Sequence, residues 1–348
     1  MRPHPAMIDP SIAEPAAALL AAAGLPSALA TTRLPSANNR VFRLDLPDRA
    51  VVLKAYFNEP EDKRPRLRTE FAFSEFAWAS GLRNLPRPLI ADEARNMALY
   101  DHVVGGAVAA ESLRESDCDA VIAFIGNLNA ERHRAAHLPE GSEACFAISA
   151  HLDLVERRIA RLSGIDRDGP LNVEAAQFAK ATLAPSWAVL RRRVMRDAER
   201  LRPALDGPLP IADRCLSPSD LGFHNTLRAR DGQLFFLDFE YGGWDDPAKL
   251  ACDFFSQVAV PVPESWFEQF VGAVASLTSD PALHRARAEI LLPVYRMKWI
   301  TIVLNDFLPV SNHRRRFALA RDVELARKKS KLETADRLHE AIAARWTR

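Results

Sequence analysis

The sequence predicts an α+β protein, with a small β-rich first part, a mainly helical remainder and one short β insertion carrying acidic residues. Three observations lead there. Residues 41–46 largely alternate apolar and polar side chains and residues 50–56 read as a second strand after the turn Pro47-Asp48-Arg49, together a β-hairpin. Amphipathic stretches at residues 148–162 and 173–201 have the spacing of long helices. Strand patterns return at residues 211–240, notably 234–239, before the chain turns helical again from Glu264.

Taken in order, the Ala-rich stretch at residues 16–23 comes first, followed by Ser27-Ala28-Leu29-Ala30. It imitates a signal peptide, but Asp9, Glu14 and Pro15 interrupt its approach and only Arg2 and His4 precede it with any basic character. A short helix ending at Gly24, with Pro26 beyond, fits better. Residues 64–81 form the next helix, with Leu67, Phe71, Ser74 and Trp78 sharing a face and Gly81 ending it. Pro86 and Pro88 punctuate a loop, and Met97-Ala98-Leu99-Tyr100 reads as a short strand that breaks at Gly105-Gly106. Residues 108–205 are almost wholly helical. The expected organisation is an N-terminal helix over 1–30, a β-rich lobe over 31–103 and a helical lobe over 104–348.

The 348 residues can bury a substantial core, and 48% hydrophobic with 26% charged content is that of a soluble globular protein. A net charge of +1 argues against nucleic acid as a partner. The basic runs Arg314-Arg315-Arg316 and Arg327-Lys328-Lys329 read as solvated helix faces. Cys118, Cys145, Cys215 and Cys252 form no Cys-x-x-Cys pair, which speaks against zinc and disulfides and for a reducing compartment. No apolar run is long enough for a membrane span, and a cytoplasmic location is expected.

The residues that carry chemistry lie in Ser217-Pro218-Ser219-Asp220-Leu221-Gly222-Phe223-His224-Asn225 and in Leu237-Asp238-Phe239-Glu240. Phosphoryl transfer needs a carboxylate near the attacking hydroxyl and oxygen ligands for magnesium, and Asp and Asn supply both. An Asp, an Asn five positions on, and a strand ending in a second Asp can converge these groups at one mouth, with Gly222 permitting a tight turn. Either half alone reads more often as ordinary turn residues than as a site. In this order, with a short hairpin between them, they are far more specific.

With these motifs the chain resembles the aminoglycoside phosphotransferase and choline kinase family, which has a protein-kinase-like, two-lobed fold. The resemblance spans about residues 30–310 and implies an ATP-dependent kinase acting on a hydroxyl of a small molecule such as a sugar, amino alcohol or aminoglycoside-like compound. It implies Asp220 as catalytic base, and Asn225 and Asp238 as ligands of Mg²⁺. Leu34-Pro35-Ser36-Ala37-Asn38-Asn39 resembles the phosphate-covering hairpin loop, so Ser36 and Asn38 are expected at the phosphates. Lys54 resembles the phosphate-contacting lysine and Glu70 its ion-pair partner. Tyr100-Asp101-His102-Val103 resembles the interlobe linker, where backbone groups of Asp101 and Val103 would meet the adenine. The run from Gly242 to Asp253 resembles a bracing segment in which Asp246 and Asp253 are structural. Glu240, Asn305 and Asp306 are expected acceptor contacts.

Two departures stand out. The phosphate loop lacks glycine, and Pro218 occupies the position where the family usually has a histidine, two residues before the catalytic Asp. They keep open a second reading, a kinase-like module that binds nucleotide or ligand without catalysis. Elsewhere, His133 and His137 could share a helix face but lack the following Glu of a zinc-protease motif. Met297, Ile300, Leu304 and Phe307 recur as the buried stripe of a late helix.

Overall fold

The computed structural model describes residues 8–36, 39–57, 64–201, 207–309 and 321–346. The chain packs as two compact units, Met1–Ser142 with Leu216–Trp244 and Glu143–Cys215 with Asp245–Arg348. This grouping differs from a cut after residue 103 because the segment that follows is tied back by pairing. Strand β6 (Gly106–Ala107) bonds to β8 (Thr226–Arg228), which bonds to β9 (Leu234–Phe236). Helix α3 (Glu115–Ala130) joins them: Phe124 stacks on Phe236 with ring centroids 4.2 Å apart, and the Asn129 amide both donates to and accepts from the Leu216 backbone.

In the first unit, β1 (Ala30–Leu34), β2 (Arg40–Asp45), β3 (Ala50–Ala55), β4 (Pro88–Asp92) and β5 (Met97–Asp101) form an antiparallel sheet in the order β1-β2-β3-β5-β4. The expected hairpin is β2–β3, in register with Phe42 opposite Leu53 and Leu44 opposite Val51. Strand alternation then divides the sheet. Phe42, Leu44, Val51, Leu53 and Leu99 pack with Ile12, Leu19 and Leu20, so helix α1 (Ala13–Ala22) belongs to this core. Tyr56, Ala98 and Tyr100 face the other way, onto Leu67 and Phe71 of α2 (Arg66–Ala79). Lys54 is two residues from Tyr56 and therefore also faces α2.

Three expectations change here. Pro86 and Pro88 do not merely mark a loop: Pro88 opens β4, tolerated because that strand lies at the sheet edge. Strand β1, with no clear apolar–polar alternation, is one the sequence does not lead one to expect. Helix α2 buries more than one stripe, with Thr69, Glu70, Phe73 and Phe76 inside while Phe71 and Trp78 are half-buried. The cause is a second packing surface, since Phe73 lies against Phe239 with centroids 5.2 Å apart.

The second unit is helical: α4 (Ile148–Arg161), α5 (Pro170–Phe178), α6 (Ala184–Ala198), α7 (Pro247–Phe254), α8 (Phe267–Ala275), α9 (Pro281–Leu304) and α10 (Arg321–Trp346), with a π-turn at Ala179–Leu183 joining α5 to α6. Helix α9 is its centre, packing against α4, α6, α7, α8 and α10. Asp280 caps its first turn by accepting from Leu283 N, and Pro281 sits where no backbone donor is needed. The expected stripe of Met297, Ile300, Leu304 and Phe307 is fully buried. Of the basic runs, Arg314-Arg315-Arg316 lies outside the described residues. Lys328 is not solvated as expected but buried, its ammonium donating to Asn172 Oδ1 at 3.1 Å. Among the described residues no helix is long and apolar enough to cross a membrane.

Candidate active site

The site grows from the pairing of β8 with β9. Thr226 lies opposite Phe236, and just outside that pair the Leu237 amide donates to the Asn225 carbonyl at 2.9 Å. This bond sets the Asp220–Asn225 loop beside Asp238, which sequence order alone could only suggest. The loop enters on Ser217, whose Oγ accepts from the Ser219 amide at 3.0 Å, and Ser219 turns it through a left-handed φ of 60°. The tight turn expected at Gly222 starts there as a 3₁₀ turn over Phe223–Asn225, the Asn225 backbone N–H donating to the Gly222 carbonyl at 3.0 Å, with Gly222 itself extended at φ 179°. Asp238 is a second left-handed residue, at φ 65°. It lies not at a strand end but in irregular chain two residues past β9, which ends at Phe236. Non-glycine residues hold such angles only where their surroundings impose them, commonly at functional sites.

Around Asp220 the Asn225 amide donates to the Asp220 backbone oxygen at 3.1 Å and to its Oδ2 at 3.4 Å. That commits the Asn225 nitrogen and leaves its oxygen for a ligand. His224 Nε2 lies 3.4 Å from Asp220 Oδ1. Pro218 cannot supply an imidazole, yet a histidine reaches the Asp from the other end of the loop. The Asp220 side chain stays about one-third open, at 32% exposure, as a group that must meet a substrate requires.

Lys54 brings the other carboxylates together. Its ammonium lies 2.6 Å from Glu70 Oε2, 2.5 Å from Asp238 Oδ1 and 4.0 Å from Glu240 Oε2. One ligand atom from each of Glu70, Asp238 and Glu240 lies within 4.8 Å of the others. Burial alone would push the Lys54 ammonium down, but Glu70, Asp238 and Glu240 offset it and hold it above its ordinary value. Burial also pushes Glu70 up to about 7, against the opposing pull of Lys54.

The remaining expected residues fall as follows. Ser36 Oγ accepts from the Asn39 amide at 3.4 Å, and Asn38 lies outside the described residues. Asp101 ends β5, its amide donating to Arg87 O and its carboxylate 3.3 Å from Arg49. Val103 follows the sheet. Glu240 is wholly buried beside Lys54, with its carboxylate taken up by Asn39 at 2.6 Å and facing Arg66 at 3.5 Å. Asn305 and Asp306 belong to the second unit, where Arg161 donates to Asn305 Oδ1 at 2.5 Å and Arg327 Nε lies 3.8 Å from Asp306. His133 stands in the 3₁₀ turn Arg132–Arg134, so it shares no helix face with His137. Sequence reasoning missed Asn39 and Arg66, since neither residue type at its position carries a signal before Glu240 is known to lie there.

The bracing residues sit within the second unit. Asp246 caps α7, accepting from Ala248 N at 2.7 Å, and binds His151 of α4 and Arg287 of α9 at 3.1 and 2.5 Å. Burial would raise its carboxyl, but Arg287 and His151 hold it well below the usual range. Asp253 takes both oxygens to Lys298 at 2.9 Å. In the first unit, Gly243 is required by close approach: a Cβ there would lie 2.3 Å from Pro139 O.

A sequence profile of the phosphotransferase enzyme family, APH, matches residues 30–291. Among curated proteins no sequence relative matches. Solved structures match in fold. The spectinomycin phosphotransferase APH(9)-Ia, in complex with ADP and spectinomycin, aligns at 12% identity and TM-score 0.57 over 90% of this chain and 92% of its own. The choline kinase LicA from Streptococcus pneumoniae aligns at 15% identity and TM-score 0.57, over 94% and 98%. APH(2")-IIa, in a ternary complex with streptomycin and ATP, aligns at 15% identity and TM-score 0.53, over 96% and 99%. The fold is kinase-like, an antiparallel β-sheet region followed by a helical part, and the chain belongs to the phosphotransferase enzyme family.

Proposed function

We propose that the protein transfers the γ-phosphoryl group of ATP to a hydroxyl of a small molecule. The observation that carries this reading is the single cluster of Asp220, Asn225, Asp238, Lys54 and Glu70, built on the β8–β9 pairing. ATP as donor is supported further by the ADP and ATP in the related structures. Asp220 accepts the hydroxyl proton as the oxygen attacks the γ-phosphorus, while the bond to the bridging oxygen breaks and ADP leaves. Lys54, held in its charged form, neutralises phosphate charge, and Glu70 keeps it aimed. Ser36 covers the phosphates, and the backbone of Asp101 and Val103 meets the adenine.

The donor set fits magnesium, which prefers carboxylate and amide oxygens. Asp238 and the Asn225 oxygen would hold it. When bound, it supplies charge neutralisation and alignment of the phosphates. Titration calorimetry tests the nucleotide half: Asn225→Ala and Asp238→Ala should abolish the magnesium dependence of ATP binding. Wild-type binding that ignores magnesium, or variants that keep the dependence, would contradict it.

A further inference from the structure

Asn39 and Glu240 are 201 residues apart in sequence, and one buried bond joins them. Asn39 Nδ2 donates to Glu240 Oε2 at 2.6 Å, while Asn39 Oδ1 accepts the Phe57 amide at 3.1 Å. The second bond fixes the first, because with its oxygen on an N–H the amide must present its nitrogen to the carboxylate. An aspartate at this position would set one carboxylate against another. The bond thus ties the start of β2 and the chain past the end of β3 to the segment that follows Asp238.

Glu240 needs such a partner. Its side chain is wholly buried, and a buried carboxylate is costly unless hydrogen-bonded and offset by charge. Arg66 lies 3.5 Å from its other oxygen, and Lys54 is 4.0 Å away with Glu70 and Asp238 much nearer. A carboxylate so enclosed is poorly placed to greet an incoming acceptor. It is well placed to hold Asn39, and through Asn39 the chain past the end of β3, beside Lys54 and Asp238. Groups already in place lose less conformational freedom when ligand binds.

We infer that Asn39 and Glu240 form a clasp that holds the chain at the start of β2 and past the end of β3 against the segment carrying Asp238, which makes Glu240 a positioning residue for the nucleotide and not a contact of the acceptor. The inference rests on the kinase reading of the site. Calorimetry with Mg·ADP at saturating magnesium tests it without any acceptor, on wild type, Asn39→Ala, Glu240→Gln and the double variant Asn39→Asp/Glu240→Gln, in which amide and carboxylate exchange sides. Losing a buried hydrogen bond to a charged group corresponds to about a tenfold weaker Kd in Asn39→Ala. The exchange variant regains most of that loss, and thermal melting confirms that each protein is folded. If Glu240→Gln does not fold, Asn39→Ala and the exchange variant still decide. Unchanged affinity in Asn39→Ala, or a loss the exchange leaves untouched, overturns the clasp. A Glu240→Gln variant that merely needs more magnesium overturns it too, since Glu240 would then be a metal ligand. Wild type that fails to bind Mg·ADP sinks the kinase reading itself, a separate result.

Discussion

At the scale of the residue, one ammonium serves several carboxylates: Lys54 is 8% exposed and touches Glu70 and Asp238 at 2.6 and 2.5 Å. Removing one partner of a buried ion pair costs more than the pair contributes, since the survivors lose their counter-charge. Lys54→Met is expected to lose about 3 kcal/mol of stability in urea denaturation and most of its nucleotide affinity. His224 acts on a smaller scale. Its Nε2 lies 3.4 Å from Asp220 Oδ1, and its Nδ1 is buried without a hydrogen-bond partner among the described residues. His224→Ala should lower kcat about tenfold with KM for ATP little changed, as expected for a group that only orients the base. His224→Gln, which keeps a donor in reach, should retain more of the rate. The family histidine expected at Pro218 gave no hint of this, because contact across the Asp220–Asn225 loop depends on the 3₁₀ turn Phe223–Asn225.

At the scale of the element, helices α4, α7 and α9 are pinned by buried charge. Asp253→Asn would leave Lys298 facing a weaker acceptor and is expected to cost about 3 kcal/mol, read from the urea midpoint. His284, on α9, is 2% exposed, and neither ring nitrogen has a hydrogen-bond partner among the described residues. Burial holds its protonation below the ordinary value of 6.5, with Arg287 also opposing the charge and Asp246, Asp213 and Asp280 favouring it. Below about pH 6.5 the unfolded chain therefore binds a proton that the fold does not, and stability falls as pH falls, by at most about 1.4 kcal/mol per pH unit. Above that range the contribution is complete. Urea titrations across this range should show the slope in wild type and a flatter one in His284→Leu. These elements differ in how far sequence revealed them. Helix α4 was legible because its apolar spacing matches its buried face, whereas of α9 only the stripe from Met297 showed, since that helix also buries His284, Arg287, Lys298 and Thr301. Strand β1, with its half-buried and exposed residues, shows no alternation to read. Strand β4 hid behind Pro88, since only edge position excuses a proline there.

At the scale of the whole molecule, the Asp220–Asn225 loop and the segment carrying Asp238 belong to the same compact unit as the β-sheet, so Lys54, Glu70, Asp220, Asn225 and Asp238 share one packed framework. Their identities were legible as motifs. Their convergence was not, because it depends on one backbone bond from Leu237 to Asn225 and on left-handed backbone at Ser219 and Asp238 that no local pattern announces. The residues expected at the acceptor were least legible, since Asn305 and Asp306 belong to the second unit, at a helix end whose polar residues follow no chemical motif. The proposal that this framework performs phosphoryl transfer is tested most directly by following ATP conversion to ADP and a phosphorylated product across a panel of hydroxylated metabolites, with wild type and Asp220→Ala side by side. Wild type should phosphorylate at least one acceptor, and Asp220→Ala should be slower by about 10²- to 10⁴-fold while still binding nucleotide. Near-normal turnover in Asp220→Ala would contradict the proposal, as would a wild-type protein that binds ATP yet phosphorylates nothing in a broad panel.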